Sequence, residues 1–140
     1  MKGLLFLSLL ISHSTLQPSN PLQIYRWEHR IVLIVAGDDP QSAKGQLNRF
    51  TDELDEVQDR DILVLTLKKD QVSVFDEEST LDSEGILNTY GLDRERFSVA
   101  LIGKDGGIKF RSSEVVPPLQ IYGLIDQMPM RRSEMRSRRN

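Results

Sequence analysis

Six apolar residues in a row, Ile31-Val32-Leu33-Ile34-Val35-Ala36, end abruptly at Gly37. A run that short, largely β-branched and without a polar face, predicts a strand buried on both sides in the middle of a sheet. Asp38-Asp39-Pro40 follows as a helix start, with Asp39 able to cap free amides and Pro40 suited to the first turn. Leu47, Phe50, Leu54 and Val57 then recur at spacings of three and four, which predicts one amphipathic helix ending near Gln58. Asp61-Ile62-Leu63-Val64-Leu65-Thr66-Leu67 predicts a second continuous strand, so strand, helix and strand make a right-handed unit with parallel strands. Val72-Ser73-Val74-Phe75 reads as a short strand and Asp76-Glu77-Glu78-Ser79 as a solvated loop. Asp82 can cap a short helix carrying Ile86, Leu87 and Tyr90, with Gly91 in the left-handed position beyond it and Leu92 folded back on Leu87.

Residues 97–111 predict a β-hairpin. Val99, Ala100, Leu101 and Ile102 supply a buried strand, Lys104-Asp105-Gly106-Gly107 the turn, and the return strand alternates Ile108 and Phe110 inward with Lys109 and Arg111 in water. Pro117-Pro118 opens a last helix with Ile121, Leu124, Ile125 and Met128 on one face, and Pro129 stops it. The order strand, helix, strand, short helix, hairpin, helix resembles that of the thioredoxin fold. That resemblance implies an α/β, four-stranded mixed sheet in the order 2-1-3-4 with helices on both faces.

The two ends of the chain differ from its middle. Lys2 precedes an apolar stretch to Ile11, followed by the small residues Ser12 and Ser14 and the breaker cluster Gln17-Pro18-Ser19-Asn20-Pro21. This is the layout of a signal peptide, too short for the roughly 20 apolar residues of a membrane span; the alternative is a core element of a cytosolic protein. The expected organisation is a signal peptide over 1–17, a linker over 18–23, one thioredoxin-like domain over 24–130 and a basic, disordered tail over 131–140. The mature chain is then exported, periplasmic or secreted, with no transmembrane segment.

Composition narrows the chemistry. The 140 residues contain no cysteine, which excludes disulfides, a thiol nucleophile and thiolate metal sites. The net charge of −3 hides an asymmetry, because five arginines against Glu134 give residues 131–140 a charge of +4 and leave the rest, without Lys2, at −8. Such a tail suits an anionic envelope partner; nucleic acid is not expected for an exported chain.

Candidate sites are few. His29 is the only histidine past the export segment, and no Gly-x-Ser-x-Gly motif exists to receive it, so it is expected at the foot of the first strand without a catalytic role. Asp38 and Asp39 read as helix caps in preference to metal ligands, since a cation site gathers several oxygen or imidazole groups. Lys104 lies in a glycine-rich turn that resembles a phosphate cradle, but a strand follows it where a helix would be needed, and a plain turn is the preferred reading. Arg26, Trp27 and Arg30 form either a cation-π binding surface or, the preferred reading, a tryptophan packed under the lower edge of the sheet. Arg131 and Arg132 begin the basic tail. Arg26, Trp27, Arg30, Lys104, Arg131 and Arg132 are thus the candidate binding residues; no catalytic residue, metal or cofactor is expected.

Three blocks carry a further resemblance: Arg26-Trp27-Glu28-His29-Arg30, the stretch from Leu101 through Lys104-Asp105-Gly106-Gly107 to Arg111, and Ile125-Asp126-Gln127-Met128-Pro129-Met130-Arg131-Arg132 running on to Met135. The chain resembles an uncharacterised family of bacterial exported proteins whose domain, of unknown function, also occurs in animal sushi-repeat-containing matrix proteins. The family is thioredoxin-like and related to peroxiredoxins. Thioredoxins carry Cys-x-x-Cys where this chain has residues 37–44, and a proline where it has Arg96-Phe97-Ser98. The resemblance therefore implies an exported, non-catalytic binding module with an unknown protein or anionic partner; the alternatives are a cysteine-free enzyme descended from a peroxiredoxin-like ancestor and an envelope assembly or stability factor.

Overall fold

A computed structural model describes residues 19–140. The signal peptide expected over 1–17 lies outside them.

The strands are β1 (Arg30–Val35), β2 (Ile62–Lys68), β3 (Gln71–Val74), β4 (Glu77–Ser79), β5 (Ser98–Ile102) and β6 (Ile108–Ser112). They form one mixed sheet in the order β4-β3-β2-β1-β5-β6. β1 runs parallel to β2, with Val32 opposite Val64, and antiparallel to β5, with Leu33 opposite Ala100. All six residues of β1 are buried, as a continuous apolar run in mid-sheet requires.

The expected four-stranded sheet is corrected to six strands. The expected order survives as β2-β1-β5-β6, and a second hairpin extends it beyond β2. Its outer strand is made from the acidic run assigned to a loop: Glu77, Glu78 and Ser79 pair with Val74, Ser73 and Val72. The Ser79 hydroxyl donates to the Val72 carbonyl at 2.8 Å, and the Gln71 amide donates to the Ser79 carbonyl at 3.0 Å. The glutamates remain exposed, and charged residues on a three-residue edge strand discourage pairing with further chains.

Among the described residues five helices cover the sheet: α1 (Pro40–Thr51), α2 (Leu54–Asp59), α3 (Ser83–Tyr90), α4 (Pro118–Asp126) and α5 (Pro129–Arg139). Successive residues of β1 point to opposite faces. Val32 and Ile34 pack with Ala43, Leu47 and Phe50 of α1, Val57 of α2 and Ile121 and Ile125 of α4. Ile31, Leu33 and Val35 pack with Leu22 and with Ile86, Leu87 and Tyr90 of α3. The single helix expected to Gln58 is broken at Asp52 and Glu53, so that Phe50 and Val57 both reach the core while Leu54 is left at the surface. α3 ends as its sequence predicts: Gly91 has φ 62°, and the Leu92 N–H donates to the Leu87 carbonyl at 3.0 Å.

Two expected boundaries are also corrected. The linker expected over 18–23 contains the start of a 3-10 helix, Pro21–Tyr25, whose first turn is capped by the Asn20 side chain and which buries Leu22. The tail expected to be disordered is helix α5. No helix among the described residues is long and apolar enough to cross a membrane.

Candidate functional site

The six candidate residues converge on the lower end of the sheet, where β1 and β2 begin and β5 ends. Arg30 is the first residue of β1 and is 1% exposed. A guanidinium so placed needs a counter-charge and partners for its donors. Glu134 of α5 receives it in a forked pair at 3.1 and 3.2 Å, and the Arg60 carbonyl accepts from it at 2.9 Å. Lys104, 8% exposed, donates to the same Glu134 at 2.7 Å and to Asp61 at 2.9 Å.

The network continues on both sides. Arg60 forks onto Asp126 at 3.1 and 2.9 Å, reaches Glu56 at 2.6 Å and lies over the Tyr122 ring at 4.5 Å. Arg131, 2% exposed, pairs with Asp126 at 3.1 Å and with the Asp59 carboxylate at 2.5 Å, and Arg138 pairs with Asp59 at 2.7 Å. Five cations thus meet five carboxylates, and the cluster is neutral: Arg30, Arg60, Lys104, Arg131 and Arg138 against Glu56, Asp59, Asp61, Asp126 and Glu134. Burial by itself would push the Glu134 carboxyl up, but the hydrogen bonds and charges of Arg30 and Lys104 outweigh it and hold the group below its ordinary range. Asp126 follows the same balance with Arg60 and Arg131. Asp59 is held low chiefly by its hydrogen bond from Arg131.

This arrangement is why the segment from 131 onward is ordered. Residues 131–139 have no apolar periodicity, yet Arg131, Glu134 and Arg138 stand three and four residues apart and turn one polar helix face onto the opposing charges of the α2–β2 connection, the β1 start and Lys104. That spacing was the available signal. Arg30, Lys104 and Arg131 are therefore internal ion-pair partners, with their charged ends already engaged. Arg132, on another side of α5, is exposed.

The turn at Lys104 is the plain hairpin turn expected, and the phosphate-cradle alternative finds no support in it. Gly106 has φ 85°, Asp105 accepts from the Gly107 N–H at 3.0 Å and pairs with Lys109 at 2.7 Å. Its carboxyl is held low first by Lys109 and then by the Gly107 N–H.

Arg26 and Trp27 differ from the rest. After the 3-10 helix the Tyr25 carbonyl accepts from the N–H groups of both Glu28 and His29, and this tight reversal puts Trp27 at φ 70°. Its own N–H donates to the Lys104 carbonyl at 2.7 Å. The indole is not packed under the sheet, which corrects the preferred reading: Trp27 is 58% exposed, with the Arg26 guanidinium 5.1 Å from its ring centroid. A positive φ in a bulky residue costs of order 1–3 kcal/mol and is held only where its surroundings enforce it. Beside it a groove of about 350 Å³ runs between Asn20, Leu22, Gln23 and Arg26 on one side and Asp105, Gly106 and Gly107 on the other. His29, two residues beyond Trp27, is half-buried, its ring edge-on to Tyr25 and its Nδ1 buried without a partner.

At the other end of β1 lies an open groove of about 730 Å³ bordered by Asp38, Asp39, Ser42, Arg96, Phe97 and Glu114. Both aspartates have structural duties. Asp39 caps α1, accepting from the Ser42 N–H at 3.0 Å and its hydroxyl at 2.7 Å, and is held low by those two bonds. Asp38 accepts from the Phe97 N–H at 3.2 Å. Among the described residues no group of three or more histidine, aspartate or glutamate side chains is placed to hold a metal.

The chain is similar to the coiled-coil domain-containing protein 80 of Danio rerio, 30% identical over 135 residues. That likeness takes in 83% of this chain but 16% of the fish protein, so the chain spans less than a fifth of that relative. No solved structure matches it. Residues 21–134, from the first proline of the 3-10 helix to the glutamate shared by Arg30 and Lys104, match the family described as a domain of unknown function (DUF4174), and the chain belongs to that family.

Proposed function

We propose that this chain is an exported, thioredoxin-like module that works by binding a partner protein and carries out no chemistry of its own. The observation that carries the reading is Trp27: a large aromatic displayed to solvent, on a strained backbone, with Arg26 against its face. Tryptophan and arginine are the residues most enriched where binding energy concentrates, and an anchor fixed before encounter loses little entropy on docking. The thioredoxin-like reading is supported by the order β2-β1-β5-β6 inside the sheet, with helices on both faces. The non-catalytic reading is supported by the absence of cysteine and by the structural hydrogen bonds of Asp38 and Asp39. Similarity to a small part of a much longer animal protein suits a module used among others. The partner is an envelope or extracellular protein, an envelope assembly among them.

The test is affinity capture from the native envelope with the full chain as bait, run in parallel with Trp27→Ala and Arg26→Gln. A protein retained by the wild type and lost from Trp27→Ala supports the proposal. Retention equal in all three baits removes the Trp27 face from the interface.

A further inference from the structure

Helix α5 presents a second surface, independent of Trp27. Its inward side is taken by Arg131, Glu134 and Arg138, all in the ion-pair network. Arg132, Arg136 and Arg139 are exposed, and no carboxylate of the described residues lies within ion-pair distance of them. At 3.6 residues per turn these three fall within an arc of about 60° and follow one another over roughly 10 Å of helix axis. They form a ridge of three unneutralised guanidinium groups.

We propose that this ridge binds a linear acidic polysaccharide, with sulfate or carboxylate groups of successive sugars pairing with Arg132, Arg136 and Arg139. Three features favour that occupant. First, the complementarity is local: the whole chain carries −3, and without these arginines it would stand at −6, so a polyanion is attracted to the ridge and repelled elsewhere. Second, guanidinium forks match planar carboxylates and sulfates with two hydrogen bonds each, and a chain with a charge on each repeat can follow a straight row. Third, the ridge is unsuited to a bilayer. An interfacial helix needs an apolar face to insert, whereas the ridge is flanked by Ser133 on one side and by the single, half-buried Met135 on the other, and the exposed Met130 points about 150° away from it. Because Arg131, Glu134 and Arg138 fix α5 from beneath, the row is formed before the ligand arrives.

The test uses the full chain and three probes: heparin, hyaluronate and vesicles of mixed phosphatidylserine and phosphatidylcholine. Affinities are measured at about 50 and about 300 mM NaCl, between which screening tightens considerably. Wild-type protein is expected to bind heparin at the lower salt and to lose at least about tenfold at the higher, as counter-ion release requires. Hyaluronate, with carboxylates alone, should bind more weakly than heparin. The variant Arg132→Gln/Arg136→Gln/Arg139→Gln should lose about tenfold or more at low salt, each exposed pair contributing up to about fivefold. A control of equal net charge, Lys44→Gln/Arg49→Gln/Lys68→Gln, removes exposed cations elsewhere and should stay within about twofold of wild type. Arg136→Glu alone gives a lighter perturbation of the ridge and should still weaken heparin binding severalfold. Equal losses in the ridge and control variants, binding to vesicles in preference to heparin, or no heparin binding at low salt would each overturn the proposal. Loss of partner capture by Trp27→Ala leaves heparin affinity unchanged on this reading, so the two surfaces are tested separately.

Discussion

Replacing Glu134 by alanine removes the carboxylate that two internal cations share. Arg30 and Lys104 have side chains 1% and 8% exposed, and Glu134 itself is 19% exposed. Removing one partner of a buried ion pair costs about 3–5 kcal/mol, because the remaining charge is left in a poorly solvated place. Here each cation retains something: Arg30 the Arg60 carbonyl, and Lys104 the Asp61 carboxylate. The lower end, about 3 kcal/mol, is therefore expected, a large part of the 5–15 kcal/mol that holds a domain folded. For a chain of this size that corresponds to a fall of roughly 10 °C in melting temperature. Thermal and urea unfolding followed by circular dichroism measure it. Alanine is a better helix former than glutamate, so any propensity effect has the opposite sign and cannot mimic the loss. Ser133→Ala, one residue away and exposed, serves as the control. The apolar triple Arg30→Met/Lys104→Met/Glu134→Leu should recover much of the stability, since a packed apolar replacement escapes the desolvation cost. A Glu134→Ala protein melting within about 2 °C of wild type would show that the network does not hold α5 in place.

The acid dependence follows from the same carboxylates. Glu134, Asp59 and Asp126 are held below their ordinary values of 4.5, 3.8 and 3.8 in the fold, so their contribution is complete above those values and is lost as pH falls through the lowered ones. Urea midpoints should stay level from neutral pH down to about 5 and decline below about 4, with a shallower decline in Glu134→Ala; a decline beginning near pH 6 would contradict the assignment. Trp27→Gly relieves a left-handed backbone at an exposed position and should leave the melting temperature equal to wild type or a few degrees higher. A drop of about 5 °C or more would mean that the indole is a structural contact. With no cysteine in the chain, the purified protein should neither reduce insulin disulfides nor turn over peroxide with a thiol reductant, and activity persisting through repeated purification would favour the enzyme reading.

What could be read from the residues was what apolar periodicity and turn chemistry encode. β1 was legible because six apolar residues in a row have no other soluble home, and the hairpin because Ile108 and Phe110 alternate with Lys109 and Arg111 across a glycine turn. β4 was not legible, because its stability comes from its position at the sheet edge and from Ser79, while its glutamates carry the composition of a loop. α5 was misread for a related reason. A helix docked through arginines and a glutamate shows no hydrophobic stripe, and its partners, Asp59, Asp61 and Asp126, lie in other parts of the chain. Among the candidate residues, residue type and sequence neighbourhood found the right end of the sheet but could not separate Arg30, Lys104 and Arg131, which are buried in pairs, from Arg26, Trp27 and Arg132, which face solvent.

That separation bears on where a partner would sit. At the far end of β1, a Cβ on Gly37 would stand 2.2 Å from the Arg96 carbonyl carbon, so the chain entering β5 lies directly against the glycine backbone. Gly37 has φ 52°, and Asp38 fastens the same crossing by accepting from the Phe97 N–H. A side chain cannot be added at Gly37 without moving that crossing, and the two following aspartates are fixed, Asp38 by the Phe97 N–H and Asp39 by capping α1. The lower end, six residues and roughly 20 Å away along β1, has the opposite character: its strain is stored in a displayed tryptophan, and its buried charges are neutralised internally while Arg26 and the Arg132, Arg136 and Arg139 ridge face solvent. Recognition by this chain, on the proposals made above, therefore belongs at the foot of the sheet. The head of the sheet and these two surfaces are independent, because neither Trp27 nor α5 takes part in the Gly37 crossing.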